Sequence, residues 1–325
     1  MSNPKKHHYV PESYLSGFTL SEKKNDKLWV IDQYSATIRE STPKNEAHKR
    51  YFYKVAVVEG GDEFGIEKAL SEFEGKSIPV LKDLIHNKRI PTNEDYDYLI
   101  NYIALQIVRT PTFRKNFEES LSNVYDQLGK ITLQMLVQSE EVFDKHIDDL
   151  IKRKPHLKEE EFDYEKIRRG IENITIKADI EQNYHIKHAL RMIDNLLPHL
   201  GKRNWSVLLP PPKKQYFITS DNPVVLAWSY AQNFNRPIGY GLDGTDIIFP
   251  INKNIALLGR FEFLPAQINL SKIDLAKINN MIANYSDRYL YSCENEVVWY
   301  TPDGSIGDLS MLLKFIKEVN INKNS

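Results

Sequence analysis

The stretch Asp-Ile-Ile-Phe-Pro-Ile-Asn-Lys-Asn-Ile-Ala-Leu-Leu-Gly, residues 246–259, contains two apolar runs, and these predict two β-strands. Upstream of it, Trp205–Leu209 and Tyr216–Thr219 are two more apolar runs, rich in the aromatic and β-branched residues that strands favour. We expect these two runs to pair as neighbours. The C-terminal part of the chain therefore begins with strand character.

Downstream of this stretch, helix and strand patterns alternate. A helix is predicted over Ile273–Ser286, with Ser271 placed to cap its N-terminus. Arg288–Ser292 and Val297–Tyr300 predict two further strands, and a short helix is predicted over Leu309–Val319.

The N-terminal part of the chain also has strand character. Leu28–Tyr34 and Ile38–Thr42 flank a short polar break and predict a hairpin. Tyr51–Val58 predicts another strand, which ends at the turn signal Glu59–Asp62.

Between these two regions the apolar residues follow a helical spacing. Three- and four-residue spacings predict a helix, or a bent pair of helices, over residues 66–85. Thr92 is the expected N-cap of a second helix that runs to about Arg109. The section that follows reads as two long helices joined by a mobile hinge at the mixed-charge stretch 152–161.

Strands at both ends of the chain around a helical middle predict an α+β protein. We expect a mixed or antiparallel sheet built from the N- and C-terminal strands, with a long helical middle section. Residues 1–325 are expected to form a single α+β unit, in which residues 113–200 are a helical insertion or subdomain.

The 325 residues carry 43 Lys and Arg against 44 Asp and Glu, a formal net charge of −1. No overall field attracts such a chain to nucleic acid or acidic membranes, so a nucleic-acid role requires a local basic patch. The one cysteine, Cys293, excludes an intrachain disulfide, and no apolar run is long enough to span a membrane. We expect a cytoplasmic protein with no membrane partner.

The first candidate site is the histidine pair His7-His8 near the N-terminus. Apolar residues follow it, among them Tyr9, Val10 and Tyr14, and these could anchor the segment in a core. A histidine held in this way is suited to proton transfer or to metal ligation, because its ordinary pKa lies near neutrality. We therefore treat His7 and His8 as candidate catalytic residues, with a poorly ordered chain end and a structural pair as the alternatives.

The second candidate site is Ser220-Asp221-Asn222, at the end of a predicted strand and directly before Pro223. The proline restricts Asn222 to extended conformations, which is a common way to hold an acid at a site. Asp221 is the candidate catalytic residue, and Ser220 and Asn222 are candidate substrate-binding residues. The alternative is an Asx-turn that serves only the local backbone.

The third candidate site lies on the second helix. At about 100° per residue, Gln106 falls within the apolar stripe, and Arg109 lies beside it. Both side chains need polar partners, because leaving either unpaired costs roughly 1 to 3 kcal/mol or more. Gln106 and Arg109 are candidate substrate-binding residues, and Arg109 is suited to contact Asp221 or an anionic substrate.

Weaker candidates are acidic and imidazole pairs on predicted helices. Glu67 and Glu74 share a helix face as possible acids or ligands, although exposed glutamates are the more common case. His185 and His188 have a spacing that allows a shared metal, but no acidic partner accompanies them. The motifs of the commonest nucleotide-binding, zinc-protease and serine-hydrolase sites do not occur.

Together these residues resemble a bacterial family, domain of unknown function 4238, over most of the chain. The resemblance implies no activity, because the family is named for lacking one. It implies that seven polar residues stand at motif positions of the family: His7, His8, Gln106, Arg109, Ser220, Asp221 and Asn222. The likeness rests on His7–Pro11 with Tyr14, Leu15 and Phe18, on Ala104–Gln106 with Arg109–Pro111, on Ser220–Pro223, on Phe249-Pro250, and on Asn279 with Arg288-Tyr289.

Three functional hypotheses follow. The first is a phosphodiester-cleaving nuclease, in which His7 or His8 acts as general base or metal ligand, Asp221 is a metal ligand or an orienting acid, and Arg109 holds a phosphate. A divalent metal is a possible cofactor. The second is an effector or binding module, in bacterial defence or toxin action, that recognises a small anionic ligand, a nucleotide or nucleic acid. The third is a buried polar network that only locks the N-terminus onto the later sheet.

Overall fold

The computed structural model describes residues 6–55, 62–177, 179–212, 214–230 and 237–324. The chain divides into two compact units. The first comprises residues 1–113 and 182–325, and the second comprises residues 114–181.

The described residues alternate between short strands and longer helices, and the α+β class is confirmed. The strands are β1 Lys6–His8, β2 Leu28–Asp32, β3 Thr37–Ser41, β4 His48–Arg50, β5 Asn204–Leu209, β6 Thr219–Ser220, β7 Val225–Trp228, β8 Thr245–Asn252, β9 Ile255–Arg260, β10 Gln267–Asn269, β11 Tyr289–Ser292, β12 Trp299–Tyr300 and β13 Ile306–Gly307. The helices are α1 Glu12–Ser16, α2 Gly65–Asn87, α3 Glu94–Val108, α4 Pro111–Leu136, α5 Glu140–Arg153, α6 Tyr164–Gly170, α7 Gln182–Gly201, α8 Lys272–Tyr285 and α9 Leu309–Asn324. Short 3₁₀ helices occupy Pro43–Asn45, Pro155–Glu159 and Ile171–Asn173.

The larger sheet of the first unit has the order β10-β5-β9-β8-β7. All its neighbours are antiparallel except β10 and β5, which are parallel. The strands predicted within residues 246–259 are confirmed as β8 and β9, with a register shift between Pro250 and Asn252. Every residue of β8 is buried, which explains why residues 247–251 are apolar on both faces of the strand.

The smaller sheet has the order β3-β2-β11-β6 and joins the two ends of the chain. The predicted hairpin is confirmed as β2 and β3, and β11 pairs antiparallel with β2 so that Leu290 lies opposite Ile31. The expected pairing of Trp205–Leu209 with Tyr216–Thr219 is wrong. Strand β5 pairs with β9 and β10, whereas β6 pairs with β11, so these consecutive strands enter different sheets.

Helix α3 is the most buried helix of the first unit. From Leu99 to Val108 every side chain is buried except Asn101, which is half-buried. A helix that is buried all round lies in the middle of a core. This burial places Gln106, and Arg109 directly after the helix, away from solvent.

Two local predictions differ from the structure. Tyr51–Val58 does not begin as a strand, because residues 51–53 form a turn and Tyr51 has a left-handed φ of 54° that ends β4. Residues 56–58 of that prediction lie outside the described residues. Helix α3 begins at Glu94 after Asn93, so Thr92 is not its N-cap.

The second unit is helical, with a small core of Val137, Phe143 and Ile171. Asp126 accepts a hydrogen bond from the Ile176 N–H at 2.9 Å, which fastens an irregular segment to α4. The predicted hinge at 152–161 contains the end of α5 and the 3₁₀ helix Pro155–Glu159. Residues 182–201, which form α7, belong to the first unit. In the part of the chain that the structure describes, no helix could cross a membrane.

Candidate functional site

The N-terminal strand β1 pairs with β4 to form a two-stranded antiparallel ribbon. Its register places Lys6 opposite Arg50, His7 opposite Lys49, and His8 opposite His48. All six residues of this ribbon are therefore Lys, Arg or His. Because side chains alternate between faces along a strand and paired residues share a face, one face carries the Lys6–Arg50 and His8–His48 pairs. We call it the basic face.

His7 points the other way and is fully buried. Its Nδ1 accepts a hydrogen bond from the Tyr53 N–H at 2.9 Å, and its ring stacks on the Tyr53 ring with centroids 5.9 Å apart. Since Nδ1 is an acceptor, neutral His7 carries its proton on Nε2. The segment is thus anchored in a core, so the poorly ordered chain end considered as an alternative for these histidines does not describe residues 6–8.

Arg109 fastens the end of α3 to β1 and α2. Its guanidinium donates to Glu74 Oε1 at 2.6 Å and to the His8 carbonyl at 2.7 Å, and Nε reaches the Tyr53 hydroxyl at 3.4 Å. Charge-assisted bonds of this kind are strong when buried. Arg109 is therefore partnered by Glu74 and β1, and it does not form the contact with Asp221 that its chemistry allows.

His8 and His48 lie ring against ring on the basic face, with centroids 5.4 Å apart and planes nearly perpendicular. Burial lowers the pKa of His8 to about 4, and the neighbouring charges of His48, Arg109 and Lys6 act in the same direction. Burial and Lys6 also lower the pKa of His48. Both imidazoles are consequently neutral at pH 7.

Glu67 is the acidic group whose pKa is raised furthest toward neutrality in this region. Burial raises its pKa to about 7; the charge of Glu74 adds to the rise and that of Arg109 opposes it. Its Oε2 lies 3.8 Å from His7 Nδ1 and has no hydrogen-bond partner among the described residues. A carboxyl group in this state can donate or accept a proton near pH 7.

Asp221 is buried and shapes the backbone at the start of β11. Its carboxylate accepts three peptide N–H groups, those of Asp287, Arg288 and Tyr289, each at 2.9 Å. Burial raises the pKa of Asp221 to about 6, and the three N–H donors act in the opposite direction. Its contacts are those of a residue that positions the 287–289 backbone.

Ser220 and Asn222 complete the same turn. Ser220 Oγ donates to the Asn222 carbonyl at 2.8 Å and accepts from the Asn222 N–H at 3.1 Å. The Asn222 side chain donates to the Tyr285 carbonyl at 3.0 Å and accepts from the Thr110 hydroxyl at 3.3 Å. Only Ser220 therefore serves the local backbone, and the Asx-turn alternative is wrong, because the side chains of Asp221 and Asn222 bond distant segments.

The seven polar positions fall into two groups and one isolated residue. His7, His8 and Arg109 share one network, and Ser220, Asp221 and Asn222 share another. The two networks meet where Thr110, next to Arg109, bonds Asn222. Gln106 is fully buried, and neither its Oε1 nor its Nε2 has a hydrogen-bond partner among the described residues, so the partner expected for it is not found.

Residues 6–296 match the family DUF4238, described as "Protein of unknown function". The chain belongs to this family. The match begins at the first residue of the ribbon and continues beyond β11, so it contains both polar networks. Searches of curated proteins and of solved structures give no match.

The ribbon includes residues that the motif analysis did not select, namely Lys6, His48, Lys49 and Arg50. The available signal was composition: Lys-His-His at 6–8 and His-Lys-Arg at 48–50 are both wholly basic or imidazole-bearing. Strands of three residues are too short for periodicity to reveal. Within the described ranges, no three His, Cys, Asp or Glu side chains are grouped so that they could hold a metal ion.

Proposed function

We propose that this protein binds the phosphate backbone of single-stranded nucleic acid on the basic face of the β1–β4 ribbon. The observation that carries the proposal is this face, on which Lys6 and Arg50 lie opposite each other, next to the pair His8 and His48. Lys6 and Arg50, the two cations of this face, are exposed. A chain of net charge −1 needs such a local patch to attract phosphates, and lysine and arginine are the side chains that neutralise them.

An exposed aromatic ring next to the ribbon favours a single-stranded nucleic acid as the ligand, because its bases are unpaired. Tyr51 follows Arg50 directly and leaves 38% of its surface exposed. Its left-handed backbone turns the chain at that point. Proteins that bind single strands combine a basic groove with exposed aromatic rings on which bases stack. Tyr51, whose ring lies 6.4 Å from the His7 ring, is the candidate stacking residue at the end of the ribbon.

The test is fluorescence anisotropy with a labelled single-stranded RNA across a series of salt concentrations. The double variant Lys6→Ala/Arg50→Ala, which removes both cations of the basic face, is expected to bind about tenfold more weakly at low salt, and to lose about 1 unit of salt-dependence slope per cation removed. Lys27→Ala is the matched control, because Lys27 is an exposed lysine elsewhere that pairs with Glu40 at 2.8 Å. Equal affinity of the double variant and the wild type would contradict the proposal.

A second candidate function is cleavage of the bound RNA, favoured by the neutral imidazole of His48 on the same face. In this proposal His48 accepts the proton of a 2′-hydroxyl, whose oxygen attacks the adjacent phosphorus. The imidazolium then returns that proton to the departing 5′-oxygen, which leaves a 2′,3′-cyclic phosphate. His7 and Arg109 hold the ribbon in place, and Asp221 holds the 287–289 backbone. None of the three needs to touch the substrate.

Cleavage has a distinctive pH dependence. Because the pKa of His48 is lowered, and Lys6 contributes to the lowering, His48 remains a base below pH 6.5. The acidic limb of the pH–rate profile is therefore expected to move to higher pH in Lys6→Ala.

His48→Gln is expected to abolish cleavage of RNA while the affinity for RNA is kept. DNA is not cleaved, because it lacks the 2′-hydroxyl. Unchanged cleavage by His48→Gln removes this second function and leaves the binding proposal intact.

A further inference from the structure

A second concave site lies away from the ribbon. It is a cavity of about 560 Å³ between α1, α2 and the loop Glu22–Asn25, and it shares no residue with the ribbon. Cavities of roughly 300 to 1,000 Å³ are the usual size of small-molecule sites. Its apolar surface is formed by Tyr14, Ile78, Leu81, Ile85, Tyr102 and Ile251.

The walls of this cavity are held in place by packing and hydrogen bonds. Tyr14 is buried, and its hydroxyl contacts both the Thr219 hydroxyl and the Pro250 carbonyl at 2.7 Å. A side chain added at Gly17 would put its Cβ 2.9 Å from Asn252 Cβ, so α1 lies closely against β8. The apolar wall from α2 is built on helical spacing, with Ile78, Leu81 and Ile85 on one face. The cavity is thus preformed.

The rim of the cavity is basic. Three lysines line it, Lys23, Lys24 and Lys82, against the single acid Glu22. Glu22 pairs with Lys253 at 2.8 Å, and Lys24 lies 3.7 Å from Glu12. Lys23 and Lys82 have no ion-pair partner within 4.0 Å among the described residues. Two cations at the mouth of an apolar cavity favour a ligand with one anionic end.

A buried donor is also left over in the cavity lining. Asn252 is 1% exposed, and its Oδ1 accepts the Asn254 N–H at 2.9 Å. Its Nδ2 has no hydrogen-bond partner in the part of the chain that the structure describes. A buried amide N–H without an acceptor costs on the order of 1 to 3 kcal/mol. Nδ2 itself has almost no accessible surface, so a bound molecule reaches it only if the Asn252 side chain rotates.

We infer that this cavity binds a small amphiphilic anion, with a hydrocarbon body against Ile78, Leu81 and Ile85 and a carboxylate between Lys23 and Lys82. The apolar surface matches the body, and the two lysines match the charge. The inference is independent of the nucleic-acid proposal, because the residues and the ligand class are different.

The experiment is isothermal titration of the full-length protein with decanoate below its micelle concentration, with decanol as the uncharged probe of the same length. Saturable binding of decanoate at one site is expected. Lys23→Ala and Lys82→Ala are expected to weaken it about fivefold each, and decanol is expected to bind more weakly than decanoate. Lys27→Ala, at an exposed lysine outside the cavity, serves as the control and is expected to change nothing.

A cavity-filling variant locates the ligand. Leu81→Trp occupies the space beside α2 and is expected to abolish binding, with its fold checked by circular dichroism. The exposed variant Lys82→Ala gives an answer even if Leu81→Trp does not fold. Absence of saturable decanoate binding overturns the inference. Binding unaffected by Leu81→Trp and Lys82→Ala overturns it too, as does decanol binding equal to that of decanoate.

Discussion

Gln106 and Asn279 are both fully buried side-chain amides, yet their surroundings are opposite. Asn279 accepts the Ile218 N–H at 3.1 Å and donates to the carbonyls of Tyr216 and Val298 at 3.1 and 2.9 Å. The side-chain amide of Gln106 makes no hydrogen bond among the described residues. The helical position of Gln106 predicts its burial, but partners for either amide come from distant parts of the chain and cannot be read from local spacing.

This contrast predicts substitutions of opposite sign. Gln106→Met removes an unpaired buried amide at nearly constant volume, so the free energy of unfolding is expected to rise by about 1 kcal/mol. Asn279→Leu leaves three backbone groups without partners, and the free energy of unfolding is expected to fall by about 3 kcal/mol or more. Urea unfolding of both variants measures these changes. Destabilisation by Gln106→Met would indicate a partner that the described residues do not supply.

Asp221 gives a second prediction at the residue scale. In Asp221→Asn, an amide NH₂ replaces one oxygen and meets peptide N–H groups that need an acceptor. The free energy of unfolding is expected to fall by about 2 to 4 kcal/mol, which thermal or urea unfolding would detect. Loss of any activity in this variant therefore carries no information about catalysis unless its fold is retained. An Asp221→Asn variant as stable as the wild type would contradict the role of Asp221 as a backbone anchor.

Helices and strands are predicted correctly where the sequence of the segment itself indicates its secondary structure. The helix predicted from Ile273, with Ser271 as its cap, is confirmed as α8, and Ser271 forms a full capping box with Asp274. Strands β8 and β9 were predicted from continuous apolar runs. The predicted pairing of β5 with β6 is wrong, because the partner of a strand depends on the whole sheet and β6 has only two residues. The β1–β4 ribbon could not be predicted either, because each of its strands has only three residues.

The capping box of α8 can be tested directly. Ser271 Oγ accepts the Asp274 N–H at 3.2 Å, and the Asp274 carboxylate accepts the Ser271 N–H at 3.2 Å. Ser271→Ala is expected to lower the free energy of unfolding by about 1 kcal/mol. Lys272→Ala, one position along and exposed, is the control and is expected to change it by less than about 0.5 kcal/mol. Equal effects in urea unfolding would show that the cap contributes nothing.

At the scale of the whole molecule, the predicted sheet of N- and C-terminal strands exists as β3-β2-β11-β6. Composition and the order of elements were enough to predict this α+β architecture. They were not enough to predict which polar residues meet, since Tyr14 reaches Thr219 and Arg288 reaches Asp32 only through the complete fold. The sequence thus predicts which residues belong to the two polar networks, but only the structure shows which residues they bond.

The stability of the whole molecule should depend on pH through Glu67 and His8, with opposite signs. The pKa of Glu67 is raised from 4.5 to about 7, so its contribution is present below pH 4.5 and is lost as the pH rises through 7. The pKa of His8 is lowered from 6.5 to about 4, so its contribution is present above pH 6.5 and is lost as the pH falls through 4.

Glu67→Gln separates the two contributions, because glutamine imitates the protonated acid at every pH. The variant is expected to match the wild type at pH 4 and to exceed its free energy of unfolding by about 1 to 2 kcal/mol at pH 8. Urea unfolding at the two pH values measures the difference. A difference that is the same at both pH values would mean that Glu67 does not titrate in this range.

The position of β1 near the N-terminus also determines where a purification tag should be placed. His8 and His48 already stand ring to ring, and metal ions such as Zn²⁺ and Ni²⁺ bind sets of three or four imidazoles. A polyhistidine tag joined ahead of Lys6 would bring additional imidazoles within a few residues of this pair, and it would also add charge beside the basic face. Metal retained by such a preparation would then be an artefact of purification. Material tagged after α9 keeps the two histidines as the sequence has them.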